Sequence, residues 1–381
     1  QAFYKRMFAA EPQLLNIFSH TNQQKGHQPR SLADAVYAYA KYIEQPEVLI
    51  PVVTRIAHKH ASLDVKPEHY PIVGTHLLAA LQEVLGDAAT PELLDAWAKA
   101  YGVLADIMIK AEQDIYQAIG SSEGGWDGFM PLKVVRKERE SDSITSFYLQ
   151  KPDGGVLPSF KPGQYVSVRV QLGQWQHIRQ YSLSDAPHQP YYRVSVKHEL
   201  AQQDDHPQGC VSSYLHQQVE VGMMLDVHAP CGDYYVDDTL ETPLVLVGAG
   251  VGQTPMFAML AHVLRVQPTR QIVYIHAAKN QALHAFDQQV LDLIKQHANV
   301  QYSVFYEDVP EGTVLPSHIQ QGLISADFLQ KVLPRDADCY YCGPVPFMQA
   351  LDALLANQGV PQQRRHYEVF GPHQAVQQAQ G

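Results

Sequence analysis

Three kinds of hydrophobic spacing follow one another along the chain. Up to about residue 120, apolar positions recur at helical intervals. Trp97, Tyr101, Leu104, Met108, Ala111 and Ile115 step by four and three, and Leu32, Val36, Tyr39 and Ile43 repeat the pattern earlier. This is the stripe of an amphipathic helix. Prolines at 12, 29, 46, 51, 67, 71 and 91 fall mostly at helix starts or junctions. The Gly-rich stretch Ser121–Trp126 breaks the pattern. Beyond it come short β-branched or aromatic runs, 144–149, 164–170, 177–183 and 191–196, bounded by turn residues. They predict a small antiparallel β-barrel, interrupted by one helix over roughly 211–218. From about residue 240 the spacing changes again. Strand-like runs at 244–247, 271–276, 301–305 and 338–342 alternate with helical stretches, which predicts a doubly wound α/β layout.

The predicted organisation is multi-domain: an all-α block over 1–120, a linker over 121–126, the barrel over 127–236, the α/β block over 237–372, and a Gln- and Ala-rich tail over 373–381 expected to fray. The hydrophobic fraction of 45% is that of an ordinary globular protein, and no run approaches a membrane span. A dispersed net charge of −11 argues against nucleic acid as a partner. The four cysteines, Cys210, Cys231, Cys339 and Cys342, are too few for a disulfide framework, and a reducing cytoplasm is expected. Cys339-Tyr-Tyr-Cys342 has zinc-like spacing without a second ligand pair, and reads as structural.

The chemistry concentrates in the second and third blocks. Gly248-Ala-Gly-Val-Gly-Gln-Thr-Pro255 follows the buried strand Leu244–Val247. Glycines at Gly248, Gly250 and Gly252, flanked by Val251 and Gln253, let backbone N–H groups approach a pyrophosphate. Thr254 and Pro255 read as an N-cap and the first helical residue, so that a helix N-terminus faces the phosphate. The match to G-x-G-x-x-G is incomplete, because Gln253 stands at the third glycine and no acidic residue follows ~20 positions on. In the barrel block, Arg179-Gln180-Tyr181-Ser182 alternates on a strand, with Arg179 and Tyr181 on one face and Gln180 and Ser182 on the other. An arginine can pair with a flavin pyrophosphate, a tyrosine can lie against the isoalloxazine ring and a hydroxyl can bond its edge.

These segments resemble the ferredoxin-reductase-like flavoproteins. Gly209-Cys-Val211-Ser212-Ser resembles that family's second phosphate contact, and Tyr165 the approach to the adenine side. Cys342-Gly343-Pro344 resembles the strand end beside the nicotinamide. Phe370, in Glu368-Val369-Phe370-Gly371-Pro372, resembles the aromatic that covers the flavin. With the helical block in front, the whole chain to about residue 372 resembles the bacterial flavohaemoglobins: a globin, an FAD barrel and an NAD(P)-binding domain. Within that resemblance the chain begins in the second globin helix, so the family's first helix is absent from this sequence.

The resemblance implies haem b held by His60, in Ile56-Ala-His-Lys-His-Ala-Ser62, with Glu112 and Tyr70 as its proximal partners. Periodicity alone leaves Glu112 open, since it lies one residue beyond Ala111 and can equally face solvent. His58 is expected at the surface. Tyr4 and Gln28 are implied on the oxygen side of the haem, and Phe18 and Leu32 in the pocket wall. The implied activity is nitric oxide dioxygenation. Electrons run from NAD(P)H through FAD to haem, and O2 and nitric oxide are converted to nitrate. A peroxide or lipid hydroperoxide reductase and an O2 or NO sensor or store are the alternatives. The expected protein is a monomer, and a lipid or azole-type ligand fits the distal pocket of the family. Lys279, after the second α/β strand, either accepts a 2′-phosphate or is solvated, and the reading leans to NADH.

Overall fold

The computed structural model describes residues 2–17, 39, 41–42, 45–200, 209–370 and 376. Phe18, Gln28, Leu32, Gly371 and Pro372 lie outside them, as do Val36 and Ile43 of the earlier stripe. Of the expected tail only Val376 is described. It is 2% exposed and joins a core cluster, so that position does not fray. The chain forms two compact units. One comprises residues 1–131, 166–180 and 225–233, and the other 132–165, 181–224 and 234–381.

The first unit holds helices α1 (Ala2–Ala10), α2 (Ile50–Ser62), α3 (His69–Leu85) and α4 (Pro91–Ser121). The Thr90 hydroxyl caps α4 by accepting the Leu93 N–H at 3.2 Å, and Pro91 supplies a pre-set first residue. The apolar stripe of α4 buries Ala105 and Met108 against Ala57 of α2 and Tyr70 of α3. Phe3, Tyr4 and Met7 of α1 pack on Ala80 of α3. Gly74 lets α3 approach α4, because a Cβ there would meet the Tyr101 ring at 2.6 Å.

A six-stranded sheet has the order β4-β3-β6-β1-β2-β5, with β1 Phe129–Arg139, β2 Ile144–Gln150, β3 Tyr165–Leu172, β4 Trp175–Ser182, β5 Tyr192–Lys197 and β6 Met224–Cys231. Helix α5 (Cys210–Gln217) separates β5 from β6. The pairs β1–β2 and β2–β5 are antiparallel, and a register shift between Val134 and Arg136 bends β1.

The second sheet is parallel, in the order β10-β9-β8-β7-β11-β12. Its strands are β7 Leu244–Ala249, β8 Ile272–Ala278, β9 Val300–Tyr306, β10 Ile319–Gln321, β11 Asp338–Cys342 and β12 Arg365–Glu368. Helices α6 (Gln253–Val266), α7 (Asp287–Ile294), α8 (Ala326–Val332) and α9 (Val345–Asn357) accompany it. Strand alternation divides the core. Leu244, Leu246, Ile272 and Tyr274 share one cluster with Met256 and Leu260 of α6, whereas Val245, Val247, Val273 and Ile275 share the other with Met348 and Leu351 of α9. The chain leaves β7 toward β8, β9 and β10, then returns to place β11 on the other side of β7. The order therefore reverses at β7 and β11, and the crevice beyond their carboxyl ends is where such sheets bind ligands.

Candidate functional site

His60 sits in the last turn of α2, Tyr70 in the first turn of α3 and Glu112 on α4. The three helices bring these side chains together. Glu112 is 2% exposed, and its Oε1 lies 2.8 Å from His60 Nδ1 and 2.5 Å from the Tyr70 hydroxyl, which donates to it. An ionised carboxylate only accepts, so the Glu112 contact places the imidazole proton on Nδ1. Burial, and then the hydrogen bond to Glu112, push the Tyr70 hydroxyl far above its ordinary pKa and keep it a donor. The Tyr101 hydroxyl donates to the Tyr70 carbonyl at 2.7 Å and fixes the start of α3.

The opposite ring nitrogen, His60 Nε2, has no protein partner among the described residues, and the side chain is 35% exposed. Its lone pair is thus oriented and available to a metal. Among the described residues no three His, Cys, Asp or Glu side chains gather around a common point. An iron at His60 meets no further cluster of protein ligands among the described residues, and a porphyrin would supply four nitrogens. The residues fit a haem.

Tyr4 is buried in the α1–α3 cluster, stacked on Phe8 at 5.7 Å, and burial raises its pKa. His58 differs from the surface position expected of it. It is half-buried, and its Nδ1 accepts the Gly232 N–H at 3.3 Å. A contact that sequence reasoning missed lies two residues past His60: Gln180 Nε2 donates to Ser62 Oγ at 2.6 Å. Nothing in the local pattern around Ser62 signals it.

On β4, Arg179 donates to the Ile178 carbonyl at 2.8 Å and has no acidic partner among the described residues, so its charge is available to an anion. Tyr181 is half-buried, and Ser182 and Tyr165 are buried. Gly209 is the N-cap of α5. Its carbonyl accepts the Ser212 hydroxyl at 3.0 Å, and the Ser212 Oγ accepts the Glu199 N–H at 3.2 Å. Val211 is buried beneath that turn. Taken by itself, the unneutralised Arg179 can pair with the pyrophosphate of a flavin dinucleotide, and the α5 start is separately a helix end that favours an anion.

At the carboxyl end of β7 the helix start departs from the expectation. Gly250–Gly252 form a short 3-10 turn and α6 begins at Gln253. Thr254 is therefore inside the first turn, and its hydroxyl donates back to the Val251 carbonyl at 2.9 Å rather than capping the helix. Pro255 follows it in that turn. Gln253 is buried, and its amide donates to the Ala285 carbonyl at 2.8 Å. A Cβ on Gly248 would press on Gln253, and one on Gly252 would overlap the Cys342 carbonyl, so glycine permits the close approach of this turn to the end of β11. Gly343 and Pro344 lead from there into α9. A pyridine dinucleotide fits this crevice.

Glu368 pairs with Cys342 across β11 and β12, and the Cys342 thiol donates to the Glu368 carbonyl at 3.4 Å. Val369 is half-buried, and Phe370 is 45% exposed and not a core aromatic. Cys339 and Cys342 belong to clusters on opposite faces of the sheet, which separates their thiols, and burial pushes Cys339 up to about 12. Lys279 Nζ lies 3.9 Å from Asp308.

Comparison with known proteins places these features in a lineage. The globin family model matches residues 1–108, the oxidoreductase FAD-binding domain 131–235 and the oxidoreductase NAD-binding domain 246–353. A flavohemoprotein of Deinococcus radiodurans is 49% identical over 380 residues, covering 98% of this chain and 92% of the relative. One of Bacillus subtilis is 45% identical, covering 99% and 93%. Among solved structures, a Malassezia yamatoensis flavohemoglobin with bound FAD and heme aligns at a TM-score of 0.83 and 27% identity, covering 97% of this chain and 93% of that one. The flavohem-like FAD/NAD binding domain of nitric oxide dioxygenase from Vibrio cholerae O1 biovar El Tor aligns at 0.58 and 38%, covering 64% and 98%.

Proposed function

Because this chain belongs to the flavohemoprotein family, we propose that it is a nitric oxide dioxygenase that draws electrons from NAD(P)H and uses FAD and haem b. When bound, FAD converts hydride delivery into single electrons, and haem supplies the iron at which O2 and nitric oxide yield nitrate. The observation that carries this reading is the His60 imidazole. It is fastened through Nδ1 to a buried carboxylate and offers Nε2 outward.

In this reading His60 ligates the iron, and Glu112 makes it a stronger donor by accepting its Nδ1 proton, with Tyr70 steadying the carboxylate. That push favours oxygen chemistry over reversible carriage. Tyr4 and Gln28 act on the oxygen side, and Phe18 and Leu32 shape the pocket. Arg179 pairs with the flavin pyrophosphate, with Tyr165, Gln180, Tyr181, Ser182, Gly209, Val211 and Ser212 around the rest of FAD. The nicotinamide dinucleotide takes the turn from Gly248 to Pro255 and the strand end Cys342-Gly343-Pro344. Glu368 and Val369 carry Phe370, which with Gly371 and Pro372 covers the flavin. In this reading the three domains run over 1–120, 127–236 and 237–372. The reading leans to NADH, with Lys279 solvated in a mostly exposed pair 3.9 Å from Asp308. The family also implies a monomeric cytoplasmic protein whose distal pocket admits a lipid or azole-type ligand. Among the described residues no helix is long and apolar enough to cross a membrane.

The test is direct. Purified protein should show a haem Soret band with a flavin shoulder, both changing on NADH addition, and should form nitrate from nitric oxide and O2 at the expense of NADH. Faster NADH-driven consumption of an alkyl hydroperoxide than of nitric oxide would replace the reading with a peroxide reductase.

A further inference from the structure

One buried cation belongs to none of the binding segments described above. Arg193 on β5 is 3% exposed. Its guanidinium carbon lies 4.8 Å from the ring centroids of both Phe257, one turn into α6, and Phe286, at the start of α7. Its nitrogens are shared between two parts of the same compact unit. Nε donates to Ser184 Oγ at 3.2 Å and Nη2 to the Ser184 carbonyl, while Nη1 donates to Gln289 Oε1 of α7 at 2.7 Å. Gln289 passes the contact on, donating to Glu140 Oε2 at 2.7 Å. The nearest acid, Asp185, is 3.9 Å away.

The two ends of this clamp are significant. Ser184 follows the flavin signature directly, two residues past Ser182. Phe257 rides on the helix that opens at the dinucleotide turn. Phe286 holds a left-handed backbone, φ 65°, which a bulky side chain adopts only under constraint. The residue before it, Ala285, receives the Gln253 amide from the first residue of α6. A planar, always-charged fork lying over two adjoining rings, their centroids 5.3 Å apart, suits arginine and excludes lysine from the same geometry.

We propose that Arg193 is a positioning residue for hydride delivery: it ties the strand end beside the flavin signature to the helix start beneath the dinucleotide turn, and so sets the distance between donor and acceptor. This rests on the flavin and nicotinamide reading given above. Misplacement of reacting groups by about 1 Å costs on the order of 100-fold in rate, so a tether at this joint governs the hydride step more than nucleotide affinity.

The experiment uses the full-length holoprotein and two variants, Arg193→Met and Arg193→Lys. Stopped-flow reduction of the flavin at saturating NADH should slow by about 10- to 100-fold in Arg193→Met and by less in Arg193→Lys. Apparent NADH affinity should stay within about threefold, which separates positioning from binding. Haem reduction by photochemically reduced flavin should keep its wild-type rate. Amide hydrogen exchange should accelerate together at Ser184 and at Val290, whose N–H groups donate to Arg193 and Phe286 carbonyls. Wild-type limiting rates in both variants, or equal slowing of the photochemical step, overturn the proposal. If Arg193→Met fails to fold, the limiting rate of Arg193→Lys decides. A wild-type flavin that NADH does not bleach defeats the underlying reading instead.

Discussion

Two histidine settings in this molecule use the same side chain in opposite ways. His60 is fastened by a charged group: a buried carboxylate takes its Nδ1 proton and leaves Nε2 as an outward lone pair. His276 on β8 is 0% exposed, and neither of its nitrogens reaches a partner in ordinary hydrogen-bond geometry. It stacks on His284 at 4.6 Å. His284 is held by tyrosine hydroxyls instead, Tyr306 at 2.8 Å from Nδ1 and Tyr302 at 3.3 Å from Nε2. Burial pushes His276 well down and His284 down to about 4. A carboxylate partner makes an imidazole a strong ligand, whereas apolar burial makes it a neutral packing group. Residue type alone does not distinguish them among 19 histidines.

The comparison breaks most sharply at His60. His60→Ala removes the one oriented nitrogen, and haem content should fall at least about tenfold while FAD content stays, read as the ratio of Soret to flavin absorbance. His276→Ala should leave that ratio unchanged. Retention of haem in His60→Ala sinks the ligand assignment. Next is Glu112→Gln, which keeps the shape and removes the charge. Loss of an outer partner costs about 10- to 100-fold in affinity or activity. NADH-driven nitrate formation should fall within that range, with the haem reduction potential rising. An unchanged potential shows that the carboxylate does not act through the ring.

How far each setting is legible in the sequence depends on what covers it. Leu244–Val247 reads as a strand because it is apolar on both faces, and both faces are in fact covered. Arg179–Ser182 reads as a signature because its spacing is short and local. Glu112 does not, because the stripe through Ala111 draws the eye one residue short. Met108 and Glu112 are four apart, so the carboxylate lies on the buried face. Strand β1 is hidden by its charges and by the register shift at Val134–Arg136, and β6 by Pro230, which reads as a breaker. Thr254 is misplaced because the 3-10 turn moves the helix start ahead of it. Nothing in the spacing of the run 191–196 singles out Arg193, since strand alternation cannot reveal the helices that pack across it.

The histidine pair makes a prediction about acid. His284 is neutral in the fold, with a pKa lowered from 6.5 to about 4. Below about pH 6.5 the unfolded chain takes up the proton that the folded chain refuses, so stability is full above that pH and is lost progressively down to about 4. The shift corresponds to up to about 3 kcal/mol. Denaturant melts followed between pH 7 and 4 should show the loss, and His284→Asn should flatten it in part, because burial also lowers His276, His216 and His228. A slope unaltered by His284→Asn assigns the acid sensitivity elsewhere.

The smallest expected effect sharpens the comparison most. Tyr70→Phe removes the hydroxyl that donates to Glu112 and leaves the ring in its cluster with Ala57 and Met108. Glu112 keeps His60 as a partner, so the cost is one hydrogen bond to a charged acceptor, about 1–3 kcal/mol of stability. Haem should remain bound. The freed Glu112 acceptor strengthens its pull on the Nδ1 proton, so the reduction potential should move opposite to that of Glu112→Gln, and by less. Two tyrosine deletions then report on two settings. Tyr306→Phe, which strips the partner from His284 Nδ1, should lower stability without moving the haem potential at all. A potential that moves equally in both variants shows that the Tyr70 hydroxyl does not act on the iron site through Glu112.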